Sequence, residues 1–470
     1  MPAVAAPLSG TGTTAAQAEA VLRPVWTATL LLLVVLPVAL GGNRPLAWSA
    51  ASLWAGLLLA WWGSLAAFGR VRVAWHPALY VPVLLVFGVV GWIVITLTGY
   101  GAPHPLWADA AAALGQPLAG TVALSREAAL VLLMRLGTYA AIFWLALQCA
   151  REPGAGTRLL TWLTVGNAAY AFYGLANYGN GNATLLWFDR WVYPGDVTGT
   201  FVNRNSYATF AAIGLLAALG RALAGYRRLL VGADPDLSPV KLRTRATLRG
   251  ALPWLLAAAM IAMAWLQSHS RMGAVAGFAG LIVLLGLLLA SGRLGRGRWT
   301  VAALGLGAAA LLALSGGRTL ERMEYAGDTD RAPIFALTER IIRDHPWTGI
   351  GYGSFERAFQ MQRDASFITG STVAAAHNTY LELAAELGLP VAAALLLCIA
   401  WLSALCLKAA LGRRTDRMVA VVAAAAATVA AAHSLLDFSL QMPAVAAVFA
   451  ALLGAGVAQS WPADRPAARA

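Results

Sequence analysis

The chain has 470 residues, 59% of them hydrophobic and only 12% charged, about half the charged fraction of an average soluble domain, so a soluble globular protein is excluded. Its net charge of +13 is large enough to raise nucleic-acid binding. The basic residues, however, are spread over alternate connectors and not gathered into one patch, which points to membrane topology instead. Cys149, Cys398 and Cys406 lie inside or at the ends of apolar runs without paired spacing, so neither a disulfide framework nor a metal site is implied.

In chain order, residues 1–24 are read as a cytoplasmic tail. No basic stretch leads into a short apolar core with an early cleavage site, so the first apolar run is read as a retained span. Twelve such runs are expected, at about 25–42, 46–68, 79–99, 127–149, 159–178, 206–225, 251–268, 272–290, 299–315, 379–411, 418–436 and 441–460, lengths suited to crossing a hydrocarbon core. Unbroken apolar runs predict helices, because barrel strands are shorter and alternate in polarity. Arg70 and Arg72, Arg151 and Arg158, the basic set from Arg227 to Arg249, Arg293 to Arg298, and Arg413 to Arg417 all fall in alternate connectors, the positive-inside pattern. Both termini are therefore expected in the cytoplasm. Connectors 100–125, 179–205, 269–271, 316–378 and 437–440 are expected on the opposite side. The reading is an all-α polytopic membrane protein, with nine helices within 25–315, a large outer loop over 316–378, three helices within 379–460 and a cytoplasmic tail over 461–470.

The outer loop is far longer than most connections, which usually marks structure or function of its own. Ile334, Leu337, Ile341 and Ile342 have helical spacing, and "HPWTGIGYG" then breaks the pattern with Pro346 and three glycines. This predicts an amphipathic helix, a glycine turn and a second short helix from about Ser354 to Arg363. The loop also carries Arg318, Arg322, Arg331, Arg340, Arg343, Arg357 and Arg363 on the side where arginine should be sparse. Most are expected to pair with loop carboxylates; one or two are free to meet an anionic ligand, whose phosphate oxygens suit the guanidinium fork. Asp328 and Asp330 in "GDTDR" form an Asp-x-Asp pair, for which pairing with Arg331 is favoured over a metal site.

Three polar islands interrupt the apolar pattern on that same outer side. "GTFVNRNSYATF" places Asn203, Arg204 and Asn205 before a span, and "SHSRMGAVAG" wedges His269 and Arg271 between two spans that are barely separated. An arginine at the edge of hydrocarbon costs a few kcal/mol unless it is paired or snorkels to the interface, so Arg271 is a candidate functional residue. The third island is "AAAHNTYLELAAELGLP". Thr379 and Glu382 read as a capping box that starts a helix, with His377 just outside its first turn. Asn378, Glu382 and Glu386 share a face at i, i+4 spacing, and Pro390 permits a kink after Gly388. Arginines, amides and a histidine beside a helix start suit displacement of a phosphate-bearing leaving group by a hydroxyl. The arginines would stabilise the diphosphate and the histidine would take the proton.

In sequence order, "GTFVNRNSYA", "SRMGAVAG", "DRAPIFALTERIIRDHPWTGIGYGSF", "HNTYLELAAELGLP" and "HSLLDFSLQMP" resemble the O-antigen ligase and Wzy-type polymerase superfamily over roughly residues 195–460. Phe335 stands where many members carry tryptophan, and Met272 where glycine is common. The resemblance implies a GT-C-like inner-membrane glycosyltransferase that faces the periplasm, inverts the anomeric centre and needs no metal or other cofactor. Its donor would be an undecaprenyl-diphosphate-linked glycan, and its acceptor a glycan (polymerase) or the lipid A core (ligase). The "FVNRN" form is closer to the polymerase-like members. Matched residue by residue, the resemblance gives Arg271 and Arg331 diphosphate binding and His377 the role of general base, while Asn203, Arg204, Asn205, Arg343, Asn378 and Glu386 are site-lining candidates. The alternative is a transporter of polyprenol-linked glycans or other solutes, for which intramembrane arginine and broken helices also fit; the absence of an internal repeat speaks against it.

Overall fold

The computed structural model describes residues 15–231, 238–292, 331–363, 373–412 and 417–461. The expected span at 299–315, the Asp328–Asp330 pair, and Arg318 and Arg322 lie outside these residues.

Among the described residues, eight helices are long and apolar enough to cross a membrane: Ala20–Val38, Pro45–Ala67, Pro77–Thr96, Arg126–Cys149, Arg204–Val231, Pro239–Leu266, Arg271–Ala290 and Leu389–Leu411. The Ala155–Gly179 helix has 25 residues and packs among them but carries several polar side chains, and Met418–His433 and Pro443–Ala458 are apolar but shorter. The polytopic helical architecture therefore stands, with the last two runs shorter than expected.

Those two short helices form the centre of the bundle. Nearly every residue of "PAVAAVFAALLGAGVA" is buried, as are most of "MVAVVAAAAATVAAAH", the signature of helices enclosed on all sides. Alanine and glycine allow this, because small side chains let helix backbones approach closely where lipid supplies no hydrophobic drive for association. At 16 residues each, they span roughly 24 Å at the α-helical rise, less than the ~30 Å of a hydrocarbon core. In the turn joining them, from Ser434 to Met442, Asp437 is fully buried.

Several connectors are tied to one another at one end of the bundle. The Val197 N–H donates to the Gln267 carbonyl, Thr379 N–H to Ser434, Leu124 N–H to Ile350 and Ala444 N–H to Gly41. At the other end Gln148 pairs with the Ala74 backbone, and Arg151 donates to the carbonyls of Ala458 and Trp461. A short hairpin, Thr184–Leu185 with Phe188–Asp189, and a helix at Leu106–Leu114 fold within connectors 179–205 and 100–125.

The loop over 316–378 forms, among its described residues, the two expected helices, at Ala332–Asp344 and Phe355–Gln362. Its apolar stripe faces protein: Ile334 and Leu337 pack with Phe355, Phe359 and Ala376, and Ile341 with Leu124, Ile350 and Ala385. The run 379–411 is not one helix. A helix at Thr379–Leu387 ends at Gly388 (φ 76°) and a second starts at Leu389. Gly349 and Gly388 make this break possible, since a Cβ on Gly388 would sit 2.4 Å from the Trp347 carbonyl oxygen and one on Gly349 2.3 Å from that of Glu386. Only glycine tolerates both the left-handed backbone and that approach.

Candidate functional site

The Ser434–Met442 turn is where the islands meet. The Arg331 guanidinium donates to the Leu436 carbonyl, and His377 Nδ1 lies 3.9 Å from the Asp437 carboxylate, with its ring edge-on to Phe438 at 5.0 Å. Asp437 Oδ1 accepts from the Phe438 N–H at 2.8 Å, and its Oδ2 is buried with no hydrogen-bond partner. The same turn reaches the island that holds Asn203 to Asn205: Ser439 Oγ is 3.1 Å from both Thr209 Oγ1 and His433 Nδ1. One turn behind Thr209, Asn205 Oδ1 accepts from Ser270 Oγ at 2.8 Å. Ser270 in turn caps the helix that begins with Arg271, accepting from the Gly273 N–H at 3.1 Å. Arg271, Arg331 and His377 are each partly buried.

A second knot of charge adjoins this turn. Asp196, buried, receives Arg204 at 2.7 Å on one oxygen and His269 Nδ1 at 2.9 Å on the other. The Arg204 guanidinium also lies over the Tyr193 ring at 5.1 Å. Burial raises the Tyr193 phenol above its ordinary value; the arginines 204 and 331 oppose the shift while Asp437 and Asp196 add to it. Tyr193 therefore feels both knots and marks where they adjoin. Tyr193, His269 and His377 all have left-handed backbones, with φ of 55°, 48° and 53°. This geometry costs a non-glycine residue on the order of 1–3 kcal/mol and persists only where the surroundings enforce it.

The remaining site-lining candidates divide by position. Asn203 starts the Arg204–Val231 helix, its Oδ1 accepting from the Asn205 and Ser206 N–H groups. Asn378 does the same for the helix after His377, accepting from Tyr380 and Leu381 at 3.0 and 3.1 Å. The cap is therefore Asn378, not the capping box expected from Thr379 and Glu382. Thr379 Oγ1 donates instead to the Asp437 carbonyl, and the Glu382 carboxylate takes the Ala376 N–H. Asparagine wins because it reaches two unsatisfied N–H groups of the first turn at once, a stabilisation of about 1 kcal/mol. Glu386 is buried and accepts from the Phe355 N–H at 3.0 Å, fastening the glycine turn. Arg343 is exposed, its Nε donating within its own helix to Glu339. It lies roughly 18 Å along that helix from Arg331 by the α-helical rise and is not brought to the turn.

Sequence reading missed Asp196, Asp437, Tyr193 and His433. Asp437 sits in the quoted "HSLLDFSLQMP", and an acidic residue between two apolar runs was the available signal. No sequence pattern pairs Asp196 with His269, which lie 73 positions apart.

Burial raises the Glu382 and Glu386 carboxyls above the ordinary carboxylate range; Glu386 is raised further by Glu382, while the Ala376 N–H and Gln441 pull Glu382 back. A carboxyl with a raised folded value holds its proton longer in the folded chain. Its contribution is thus fully present below the unfolded value of about 4 and is lost as pH rises through the folded one. The melting temperature of the detergent-solubilised protein is accordingly expected to fall as pH rises from the acid side through neutrality. Glu386→Gln should flatten the fall; a melting temperature that climbs over the same range contradicts the assignment.

Residues 256–397 match the family model described as O-Antigen ligase, which supports the O-antigen ligase and polymerase superfamily that the motifs resemble. The matched segment contains Arg271, Arg331 and His377 and leaves out Asn203–Asn205 and the Ser434–Met442 turn. No curated protein matches the chain.

Proposed function

We propose, from the match of residues 256–397 to the O-Antigen ligase family model and from the motifs that resemble the same superfamily, that this multi-pass membrane protein acts in O-antigen assembly as an inverting glycosyltransferase of the bacterial inner membrane. In this reading it transfers a glycan from undecaprenyl diphosphate to a sugar hydroxyl at the periplasmic face. The acceptor is a growing glycan or the lipid A core. His377 takes the proton of the acceptor hydroxyl as its oxygen attacks the anomeric carbon. The bond from that carbon to the diphosphate oxygen breaks on the opposite face, and the diphosphate leaves with the bonding electrons. Arg271 and Arg331 meet the charge that develops on the leaving group, a preorganised electrostatic role that is worth most in a dry site. Asp437 orients His377 and stabilises its protonated form, as a carboxylate beside a catalytic imidazole does.

The single observation that carries this reading is the shared turn: Arg331 and His377, 46 residues apart in sequence, both contact residues 436–437. Charge supports it as well. Arg190 and Arg204 stand by the buried Asp196, and Arg331 binds the turn that holds the buried Asp437, so cations outnumber carboxylates there, as an anionic diphosphate requires. The test is transfer by the purified, reconstituted protein from a synthetic polyprenyl-diphosphate glycan to a sugar acceptor. Inverted product is expected at an undiminished rate with a chelator present. Retained anomeric configuration, or activity abolished by the chelator, would sink the mechanism.

A further inference from the structure

Glu382 lies outside the proposed chemistry, yet it is among the most enclosed charged groups of the described residues. Its relative exposure is 6%, and each carboxylate oxygen has a separate task. Oε2 accepts from the Ala376 N–H at 2.7 Å, the peptide immediately before His377. Oε1 accepts from the Gln441 side-chain amide, at the end of the turn that carries Asp437. The Gln441 carbonyl in turn accepts from Arg135, an arginine within the Arg126–Cys149 helix whose guanidinium lies 5.3 Å over Trp48. One side chain thus ties the backbone of His377 to the turn that bears its carboxylate partner, and through Gln441 and Arg135 to a span from the first third of the chain.

We infer that Glu382 is the positioning residue of this site: it holds His377 in register with Asp437 by fixing the segment before the histidine and the turn after the aspartate to a single carboxylate. The inference deepens the transferase reading and rests on it. Three features make it more than fold maintenance. His377 has a left-handed backbone, which relaxes unless its neighbours pin it, and the Ala376 N–H bond is such a pin. Ala376 is itself fully buried against Phe355 and Phe359, so the segment has one docked position. The helix that carries Glu382 is capped by Asn378, so Glu382 is not spent on helix initiation and its carboxylate is free for the long-range tie.

A positioning role depends on reach and hydrogen bonding, not on charge, and this separates the variants. Glu382→Gln keeps the length; an amide oxygen still accepts from Ala376, and Gln441 can rotate its own amide to restore the second bond. Glu382→Asp keeps the charge but is one methylene short of spanning both partners. In reconstituted transfer from the polyprenyl-diphosphate glycan, Glu382→Gln is expected within about threefold of the parent kcat. Glu382→Asp is expected to lose on the order of 30- to 100-fold in kcat with donor KM within about threefold, because displacements near 1 Å cost catalysis that much while Arg271 and Arg331 are untouched. The reverse order, with the aspartate variant active and the glutamine variant not, would assign Glu382 a charge role and overturn the inference. So would a loss confined to KM or to the amount of folded protein. His377→Ala measured alongside separates the two levels: if it transfers normally the transferase reading itself fails, whereas an inactive His377→Ala beside a fully active Glu382→Asp overturns the positioning role alone.

Discussion

His377→Ala is expected to lower glycan transfer by at least about 10³-fold, in the upper part of the range for removing a general base, while the protein still inserts and folds. The histidine is about a third exposed, with Asp437 and the ring of Phe438 beside it. Truncation therefore removes little buried surface, and the helix behind it keeps its own cap at Asn378. The loss should appear in kcat, with donor KM little changed, since the residues proposed to hold the diphosphate, Arg271 and Arg331, lie on other elements. Added imidazole should return part of the rate to the alanine variant by supplying a diffusible base in the space the side chain vacates. The measurement is turnover of a labelled lipid-linked glycan in proteoliposomes, with melting temperature as the folding control. Transfer within tenfold of the parent would remove His377 from the chemistry.

Arg331→Ala is expected to be nearly as damaging, lowering kcat/KM for the lipid-linked donor by about 10²- to 10³-fold, the scale for deleting one preorganised donor to a developing anion. Arg331 spends one N–H group on the Leu436 carbonyl, and the planar guanidinium leaves further donors for phosphate oxygens. Arg331→Lys should recover only part of the loss, because an ammonium cannot hold the carbonyl and a second acceptor in one fixed plane. Steady-state kinetics over a donor series, with the diphosphate replaced by a monophosphate, would locate the effect: the penalty should shrink when the distal phosphate is absent. A donor kcat/KM within threefold of the parent for Arg331→Ala would place the diphosphate elsewhere.

The match over residues 256–397 bears on how these two predictions are related. It spans the helix that begins at Arg271, the Ala332–Asp344 helix opened by Arg331, and His377 with its capped helix. It stops before the Ser434–Met442 turn, on which Arg331 and His377 converge. The pair Asn205–Ser270 and the pair Thr209–Ser439 then join the second polar island to that same turn from the other side. The candidate site therefore draws on segments at both ends of the matched region and beyond it.

Much of this was legible in the chain itself. Long apolar runs separated by basic connectors can only be hydrocarbon-crossing helices, since unpaired backbone is intolerable in lipid. The periodicity of Ile334, Leu337 and Ile341 fixed a helix that forms from Ala332 to Asp344. Polar residues stranded beside spans, above all Arg271 and His377, announced themselves by the cost of leaving them there. Tertiary structure decided the rest. Whether Thr379 or Asn378 caps a helix depends on which oxygen the folded turn lets reach the free N–H groups, and the competing ligands at Asp437 and Ala376 drew Thr379 and Glu382 away. Whether 379–411 is one helix or two depends on Gly349 and Gly388 meeting backbone to backbone. Asp196 and Asp437 carry no local signature because their partners are brought by other elements, and a carboxylate's role lies in what it faces. Local pattern sets helices because the forces that make them act within a few residues; a site assembled from pairs 46 and 73 positions apart exists only once those helices have packed.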